Sequence, residues 1–188
     1  PVFLFVHLYE PHAPYAPPEP LAARWGATYE GEVTAADAAF GQLREGLQRL
    51  GRWNGTLLVL TADHGEGLGD HGEVEHGILL HREVLRVPLL VKLPGAERGG
   101  SRVKGTVSHV DLLPSVLAAC RIAAPSGLPG RTLDAAAREP RPAYAETWYP
   151  RIHLGWSPLF SLAEGHRHLI DGPRPELYDT AEDPGERR

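Results

Sequence analysis

Two short apolar segments, separated by one amphipathic helix, restrict what this chain can fold into. The segments are Val2 to Leu8 (VFLFVHL) and Thr56 to Ala62 (TLLVLTA), and such runs are typical of strands buried on both faces of a parallel sheet. Between them, apolar residues recur three and four positions apart, which predicts a helix that stops at Gly51. These residues are Val33, Ala36, Phe40, Leu43, Leu47 and Leu50. The alternation of strand, helix and strand indicates an α/β fold.

Two further elements extend this pattern. Val87 to Leu93 (VPLLVKL) is predicted as a third strand. Ser108 to Cys120 is predicted as a second helix, with Ser108 or Asp111 as its N-cap, because a hydroxyl or carboxylate oxygen accepts the unpaired N–H groups of the first turn.

The C-terminal part predicts a small antiparallel sheet. Three short runs occur there, Ala143 to Thr147, Leu159 to Ala163 and His168 to Ile170, and Gly165 provides a turn signal between the last two. Residues 123–142 are rich in Pro, Gly, Ala and Arg and are interpreted as a linker or surface excursion. We therefore expect an α/β core over residues 1–122 and a separate small subdomain over residues 143–188.

Composition excludes several classes of protein. Of 188 residues, 42% are apolar and 23% charged, which is ordinary for a globular chain. The net charge of −5 argues against a nucleic-acid partner, and the single cysteine, Cys120, excludes an internal disulfide or a cysteine-built zinc site. The chain opens inside an apolar segment and contains no methionine. We therefore expect a piece of a longer protein, which leaves its localisation open.

Polar side chains gather directly after the apolar segments, where ligands bind in open α/β sheets. The loop after the second segment carries eight acidic or histidine side chains, namely Asp63, His64, Glu66, Asp70, His71, Glu73, Glu75 and His76. A neighbouring carboxylate and imidazole, as in Asp63 and His64, offer a partial shell for a divalent metal. The alternative is that Asp63 caps the following turn while His64 is a solvated loop residue. The zinc-protease HExxH, the GxSxG elbow and the GxxxxGK[ST] phosphate loop are absent from the sequence.

A series of motifs in one order resembles the sulfatase family, within the alkaline-phosphatase-like superfamily, and most closely its bacterial members. The motifs are HLYEPHAPY, YxGEVxxAD, TADHGEGLGDHG, EVLRVPLLVKLPG, SHVDLLPSVL and ELYDTAEDPGERR. The resemblance runs over essentially the whole chain. It implies an alkaline-phosphatase-like sandwich with a mostly parallel sheet, followed by the small C-terminal antiparallel sheet.

The resemblance also implies roles for individual residues. Asp63 and His64 match the pair that ligates the active-site cation, which is usually calcium in this family, with manganese or zinc as alternatives. His12 matches the histidine that contacts the sulfate or the leaving-group oxygen. His76 stands where a lysine commonly binds the sulfate oxygens, and an imidazolium loses its charge as the pH rises. The other loop groups, Glu66 and His71, are expected to orient the ligands.

Two features of the family are missing from this sequence. One is the C/S-x-P-x-R segment, whose Cys or Ser becomes the formylglycine nucleophile; the other is the pair of N-terminal aspartates that completes the metal shell. The resemblance therefore implies the C-terminal half to two-thirds of a sulfatase catalytic domain, inactive by itself.

Three functions stay open on the sequence. The first is hydrolysis of a small-molecule or glycan sulfate ester by the longer protein. The second is hydrolysis of a phosphodiester or phosphonate on the same fold, and the third is a noncatalytic remnant or binding module. An uncovered sheet edge is a template for another chain, so we also expect self-association.

Overall fold

The computed structural model describes residues 2–188, which form two units. The first comprises residues 2–56 and 92–97, and the second comprises residues 57–91 and 98–188. None of the helices formed by these described residues is both long and apolar enough to cross a membrane. The predicted boundaries near residues 122 and 142 stay a prediction.

The described residues form five α-helices and six strands, besides short 3-10 helical turns and a π-helical turn at Pro150–Leu154. The helices are α1 (Leu21–Trp25), α2 (Tyr29–Arg49), α3 (Arg82–Leu85), α4 (Leu112–Ala119) and α5 (Leu133–Arg138). The strands are β1 (Leu58–Thr61), β2 (Leu89–Lys92), β3 (Ala143–Thr147), β4 (Leu159–Glu164), β5 (Arg167–Asp171) and β6 (Glu176–Asp179). Strands β1 and β2 form a two-stranded sheet, and the larger parallel sheet implied by the resemblance stays a prediction.

The predicted amphipathic helix is confirmed as α2. It begins where the Thr28 hydroxyl oxygen accepts the backbone N–H of Gly31 at 3.2 Å, and acidic residues in its first turn suit the positive end of the helix dipole. It ends just before Gly51, whose φ of +64° favours glycine. The apolar stripe is only partly covered, because Val33 and Leu50 are exposed.

The prediction of a buried strand at Val2 to Leu8 is wrong for this structure. This segment has no regular structure, and its side chains are exposed, with Phe3 at 82%. The apolar pattern describes what a strand could bury, but a strand also needs a neighbour to pair with. Within residues 2–188 no segment pairs with it. The second and third predicted strands are confirmed in shorter form as β1 and β2.

The small C-terminal sheet is confirmed and has one more strand than predicted. Its order is β3-β4-β5-β6, and the three pairings are antiparallel. Along β5 exposed and buried residues alternate, with His168 and Ile170 buried, as a sheet with one covered face requires. Strand β6 was not predicted because its sequence, ELYD, has no continuous apolar run.

Residues 123–142, interpreted as a linker or surface excursion, contain α5 and are anchored by Asp111. The buried Asp111 carboxylate accepts the backbone N–H of Ser108 and of Arg131, each at 3.0 Å. It also accepts a hydrogen bond from the Arg141 guanidinium at 2.9 Å. Ser108 and Asp111 form a capping box at a short helical turn before α4, which confirms the predicted start of that helix.

Candidate functional site

The loop that follows β1 folds back on itself in the second unit. The backbone N–H of Gly67 donates to the Glu75 carbonyl at 2.7 Å, and that of Gly69 donates to the Glu73 carbonyl at 2.8 Å. A short helical turn at Asp70–Gly72 forms the tip. The two arms of the loop therefore lie side by side, held by backbone hydrogen bonds.

Two glycines in this loop permit close approaches to backbone. The N–H of Gly65 donates to the Val84 carbonyl at 2.8 Å, and a Cβ at Gly65 would lie 1.9 Å from the Glu83 carbonyl oxygen. A Cβ at Gly67 would lie 2.4 Å from the Glu73 carbonyl oxygen. Any side chain at these two positions would collide with backbone, so the path of the loop requires glycine at both.

Asp63 and His64 present a pair of ligand atoms at the start of the loop. The Nδ1 atom of His64 lies 2.8 Å from the Gly65 carbonyl oxygen; because that oxygen can only accept, the ring proton is on Nδ1 and the lone pair on Nε2. This Nε2 lies 3.8 Å from Asp63 Oδ1. A calcium ion about 2.4 Å from each atom fits between them, so the pair suits a divalent cation.

The alternative role for Asp63 remains open on this geometry. Its Oδ1 atom accepts the backbone N–H of His64 at 3.1 Å, as a carboxylate that caps a turn would. The carboxylate side chain is 83% exposed, so it is also accessible to an ion. The metal role of Asp63 and His64 stays a prediction.

His76 lies beside this pair and is held by a buried carboxylate. Its ring stacks on the His64 ring with 3.8 Å between centroids. Its Nδ1 atom lies 3.0 Å from Oε1 of Glu66, whose side chain is 5% exposed. Glu66 was expected to orient a ligand, and in this structure it fixes the His76 ring. The loop thus brings Asp63, His64 and His76 together.

His12 belongs to the first unit. Its Nδ1 atom lies 2.6 Å from the Ala13 carbonyl oxygen and 3.1 Å from the Tyr9 hydroxyl, and its ring stacks on that of Tyr9. These contacts fix the orientation of the imidazole. Its predicted contact with the substrate stays a prediction.

His71 has other partners than the metal pair that it was expected to orient. Its Nδ1 atom lies 2.6 Å from Glu83 Oε1, and its Nε2 atom lies 2.9 Å from the Glu186 carbonyl oxygen. Its ring stacks on that of His81 with 3.7 Å between centroids. Burial alone would lower the pKa of His71, but the hydrogen bonds to Glu83 and Glu186 outweigh burial and raise it.

A second polar cluster, missed by sequence reasoning, joins Ser161, His168 and Glu186. The Ser161 hydroxyl lies 2.7 Å from His168 Nε2, and His168 Nδ1 lies 2.6 Å from Glu186 Oε1. This is the order of a nucleophile, a base and an acid, but Ser161 is only 3% exposed and is closed to substrate. Because His168 lies in β5, its contact with Glu186 fastens the end of the chain to the sheet. Glu186 also accepts the backbone N–H of Arg82 at 2.9 Å, which fastens it to α3.

This cluster should contribute less to the stability of the fold at acidic pH. Burial would raise the pKa of Glu186, but hydrogen bonds from His168 and from the Arg82 backbone outweigh burial and lower it. The stabilisation by ionised Glu186 is thus present above its ordinary pKa, near 4.5, and is lost as the pH falls through the lowered value. We expect Glu186→Gln to reduce the free energy of unfolding by about 2 kcal/mol at pH 6.

Urea unfolding of both proteins between pH 3 and pH 6 measures this effect. The stability of the two proteins should converge towards the acid end. A constant difference over the whole range would show that the charge of Glu186 does not contribute.

Trp156 lines an apolar cavity of about 260 Å³ in the second unit. Ile78, Leu79 and Leu159 also line this cavity. Two of these residues follow His76 closely in sequence.

A family model described as Sulfatase matches residues 1–122 of the chain. Among curated proteins, the chain is 32% identical over 139 residues to the "Uncharacterized sulfatase YidJ" of Escherichia coli (strain K12). That match covers 70% of this chain and 27% of the relative.

Two of the solved structures that share the fold illustrate the likeness. One is a protein in complex with its substrate D-glucosamine-2-N,6-O-disulfate, at a TM-score of 0.74 and 27% identity, covering 87% of this chain and 35% of that protein. The other is the phosphonate monoester hydrolase of Agrobacterium radiobacter, at a TM-score of 0.71 and 25% identity, covering 88% and 36%. The chain therefore spans about a quarter to a third of the length of these proteins.

Proposed function

The chain belongs to the sulfatase family, and we propose that it supplies the cation- and anion-binding side chains for hydrolysis of a sulfuric ester. The observation that carries this proposal is the cluster of Asp63, His64 and His76 on one folded-back loop, with the two imidazoles stacked at 3.8 Å. A bound cation and a neighbouring imidazole can together stabilise the negative charge on the ester oxygens.

Asp63 and His64 would hold the cation through Oδ1 and Nε2. The bound cation would neutralise charge on the ester oxygens. Calcium takes about six to eight oxygen ligands, so these two side chains supply only part of the shell, and the resemblance assigns the rest to paired aspartates outside this chain. Manganese or zinc would suit the imidazole ligand equally.

His76 would bind the ester anion. Its Nδ1 atom faces the buried Glu66, and the ester anion would bind at Nε2. Glu66 thereby positions the ring rather than touching the ester. His12 would assist the leaving group, a role that rests on the resemblance alone.

The missing nucleophile limits what this chain does by itself. No C/S-x-P-x-R segment is present in the sequence, and the chain spans 27% of its sulfatase relative. We therefore propose that it works within a longer catalytic domain, is inactive alone, and acts there on a small-molecule or glycan sulfate ester. Self-association through an uncovered sheet edge stays a prediction.

A phosphonate or phosphodiester substrate is the second candidate. The likeness to a phosphonate monoester hydrolase at a TM-score of 0.71 favours it, and so does His76, which departs from the lysine common in sulfatases. A noncatalytic binding role would keep the loop cluster without turnover.

Initial rates on three aryl esters separate these functions. An aryl sulfate, an aryl phosphonate monoester and an aryl phosphodiester are offered, with calcium, to a protein in which this chain is joined to its nucleophile segment. The proposal expects the sulfate to be hydrolysed fastest and a chelator to abolish its hydrolysis. Faster hydrolysis of a phosphorus ester would establish the second candidate, and no turnover of any ester would establish the noncatalytic one.

A further inference from the structure

Three side chains outside the proposed ester site converge in the second unit. They are His71, His81 and Glu83, and one ligand atom from each lies within 4.8 Å of the others. His81 is 6% exposed, and its ring lies parallel to that of His71, with 2° between the planes. The cluster therefore joins the tip of the folded-back loop to the start of α3.

Both histidines direct Nε2 at an oxygen atom. The Nε2 of His71 lies 2.9 Å from the Glu186 carbonyl oxygen, and that of His81 lies 3.3 Å from the Glu176 carboxylate. A carbonyl or carboxylate oxygen only accepts, so each ring has a proton on Nε2, and Nδ1 is the atom that can bind a metal. Histidines that bind metals are usually fixed in this way, by a carbonyl or carboxylate on the opposite nitrogen.

The two Nδ1 atoms differ in their partners. The Nδ1 of His71 lies 2.6 Å from Glu83 Oε1, a distance that requires a proton between the two atoms, and a cation can replace that proton. The Nδ1 of His81 is buried and has no hydrogen-bond partner among the described residues. An unpartnered buried nitrogen is costly, so a cation here would satisfy both atoms.

We propose that His71, His81 and Glu83 bind a divalent transition-metal ion, preferably zinc, through the two Nδ1 atoms and the Glu83 carboxylate. Two imidazoles and one carboxylate match the ligands that zinc takes, whereas calcium prefers oxygen. The fourth position is left to water.

The three ligand atoms fit zinc once side chains rotate. Bonds of about 2.0–2.2 Å place the ligand atoms of a tetrahedral zinc about 3.4 Å apart. Atoms up to 4.8 Å apart must therefore draw together by up to about 1.4 Å, while His71 Nδ1 and Glu83 Oε1, 2.6 Å apart, must separate by about 0.8 Å. Rotation of the partly exposed His71 and Glu83 side chains supplies both changes, and it turns the His71 ring out of its parallel stack on His81 so that both rings can direct Nδ1 at one ion. The ion would replace the proton held between these two residues, so its binding should release a proton.

The site is independent of the proposed function, because neither Asp63 nor His64 takes part in it. Its orienting groups, Glu176 and Glu186, come from β6 and from the end of the chain. A zinc ion would therefore clamp the loop to the C-terminal segment. At a zinc concentration about a hundred times the Kd, we expect the melting temperature to rise by about 5–10 °C.

Zinc titration of the 188-residue chain, with calcium in excess, tests the proposal. Calorimetry should show one zinc ion per chain, with release of a proton detected in buffers of different ionisation enthalpy. Cobalt in place of zinc should give the visible absorption of a tetrahedral site. Glu83→Gln, which changes one atom of a partly exposed side chain, should weaken zinc binding by more than about a hundredfold.

Two matched variants complete the test. His166→Gln removes an exposed histidine in the turn between β4 and β5 and should leave zinc binding unchanged. Asp63→Ala should also keep the zinc, even where it loses calcium, so failure of one proposal does not decide the other. Equal zinc affinity in Glu83→Gln and the unmodified chain, no proton release, or loss of zinc in Asp63→Ala would each overturn the proposal.

Discussion

In a protein in which this chain is joined to its nucleophile segment, replacing Asp63 with alanine should reduce the turnover of a sulfate ester by about a thousandfold. The change removes the anionic ligand beside His64 Nε2, which lies 3.8 Å from Asp63 Oδ1. A cation contributes several kcal/mol to stabilising charge in the transition state, and the loss of about 4 kcal/mol corresponds to a factor of about 10³ in rate. The measurement is kcat/KM on an aryl sulfate, together with the calcium content of the purified protein.

Asp70→Ala is the matched control, since it makes the same change at the tip of the same loop. Asp70 forms an exposed ion pair with Arg187 at 3.0 Å, and such pairs contribute little. Its kcat/KM should therefore stay near that of the unmodified protein. If Asp63→Ala retained both its calcium and its turnover, Asp63 would be a turn cap and the cation would have other ligands.

Asp111→Ala should have the largest effect on stability, with a loss of about 3–5 kcal/mol in the free energy of unfolding. Asp111 is 1% exposed, and its removal leaves the Arg141 guanidinium without its 2.9 Å partner. The backbone N–H groups of Ser108 and Arg131 lose their acceptor at the same time. Urea unfolding monitored by circular dichroism measures the loss.

Asp134→Ala provides the comparison for this change. Its ion pair with Arg98 lies at the surface, so its removal should barely move the urea midpoint. A similar midpoint for both variants would mean that the buried carboxylate does not hold residues 123–142 in place.

Local patterns were sufficient where the structure depends on neighbours in sequence. Helix α2 follows from apolar spacing and from the Gly51 stop signal, both of which lie within the helix or next to it. The apolar segment Val2 to Leu8 shows the limit of that reasoning, because its pattern contains no information about a pairing partner. Strand β6 shows the converse. Its own sequence does not predict a strand, and its extended backbone is stabilised by pairing with β5.

The same distinction holds for the candidate site. Asp63, His64, Glu66 and His76 were identified because one loop carries them all. The cluster around Glu186 was missed because its partners are distant in sequence, with Arg82 104 residues away and His71 115 residues away. No spacing rule connects such positions.

The folded-back loop has a consequence for which sequences can replace this one. If every residue of the loop is substituted in turn, positions that reject substitution should alternate with positions that accept it. Glycine-rich segments usually accept substitution along their whole length. Gly65 and Gly67 should reject even alanine, because a methyl group would meet carbonyl oxygens at 1.9 and 2.4 Å. Val74, which is exposed, should accept most residues. Natural variation in this loop should therefore spare Gly65 and Gly67 and gather at exposed positions between and beyond them.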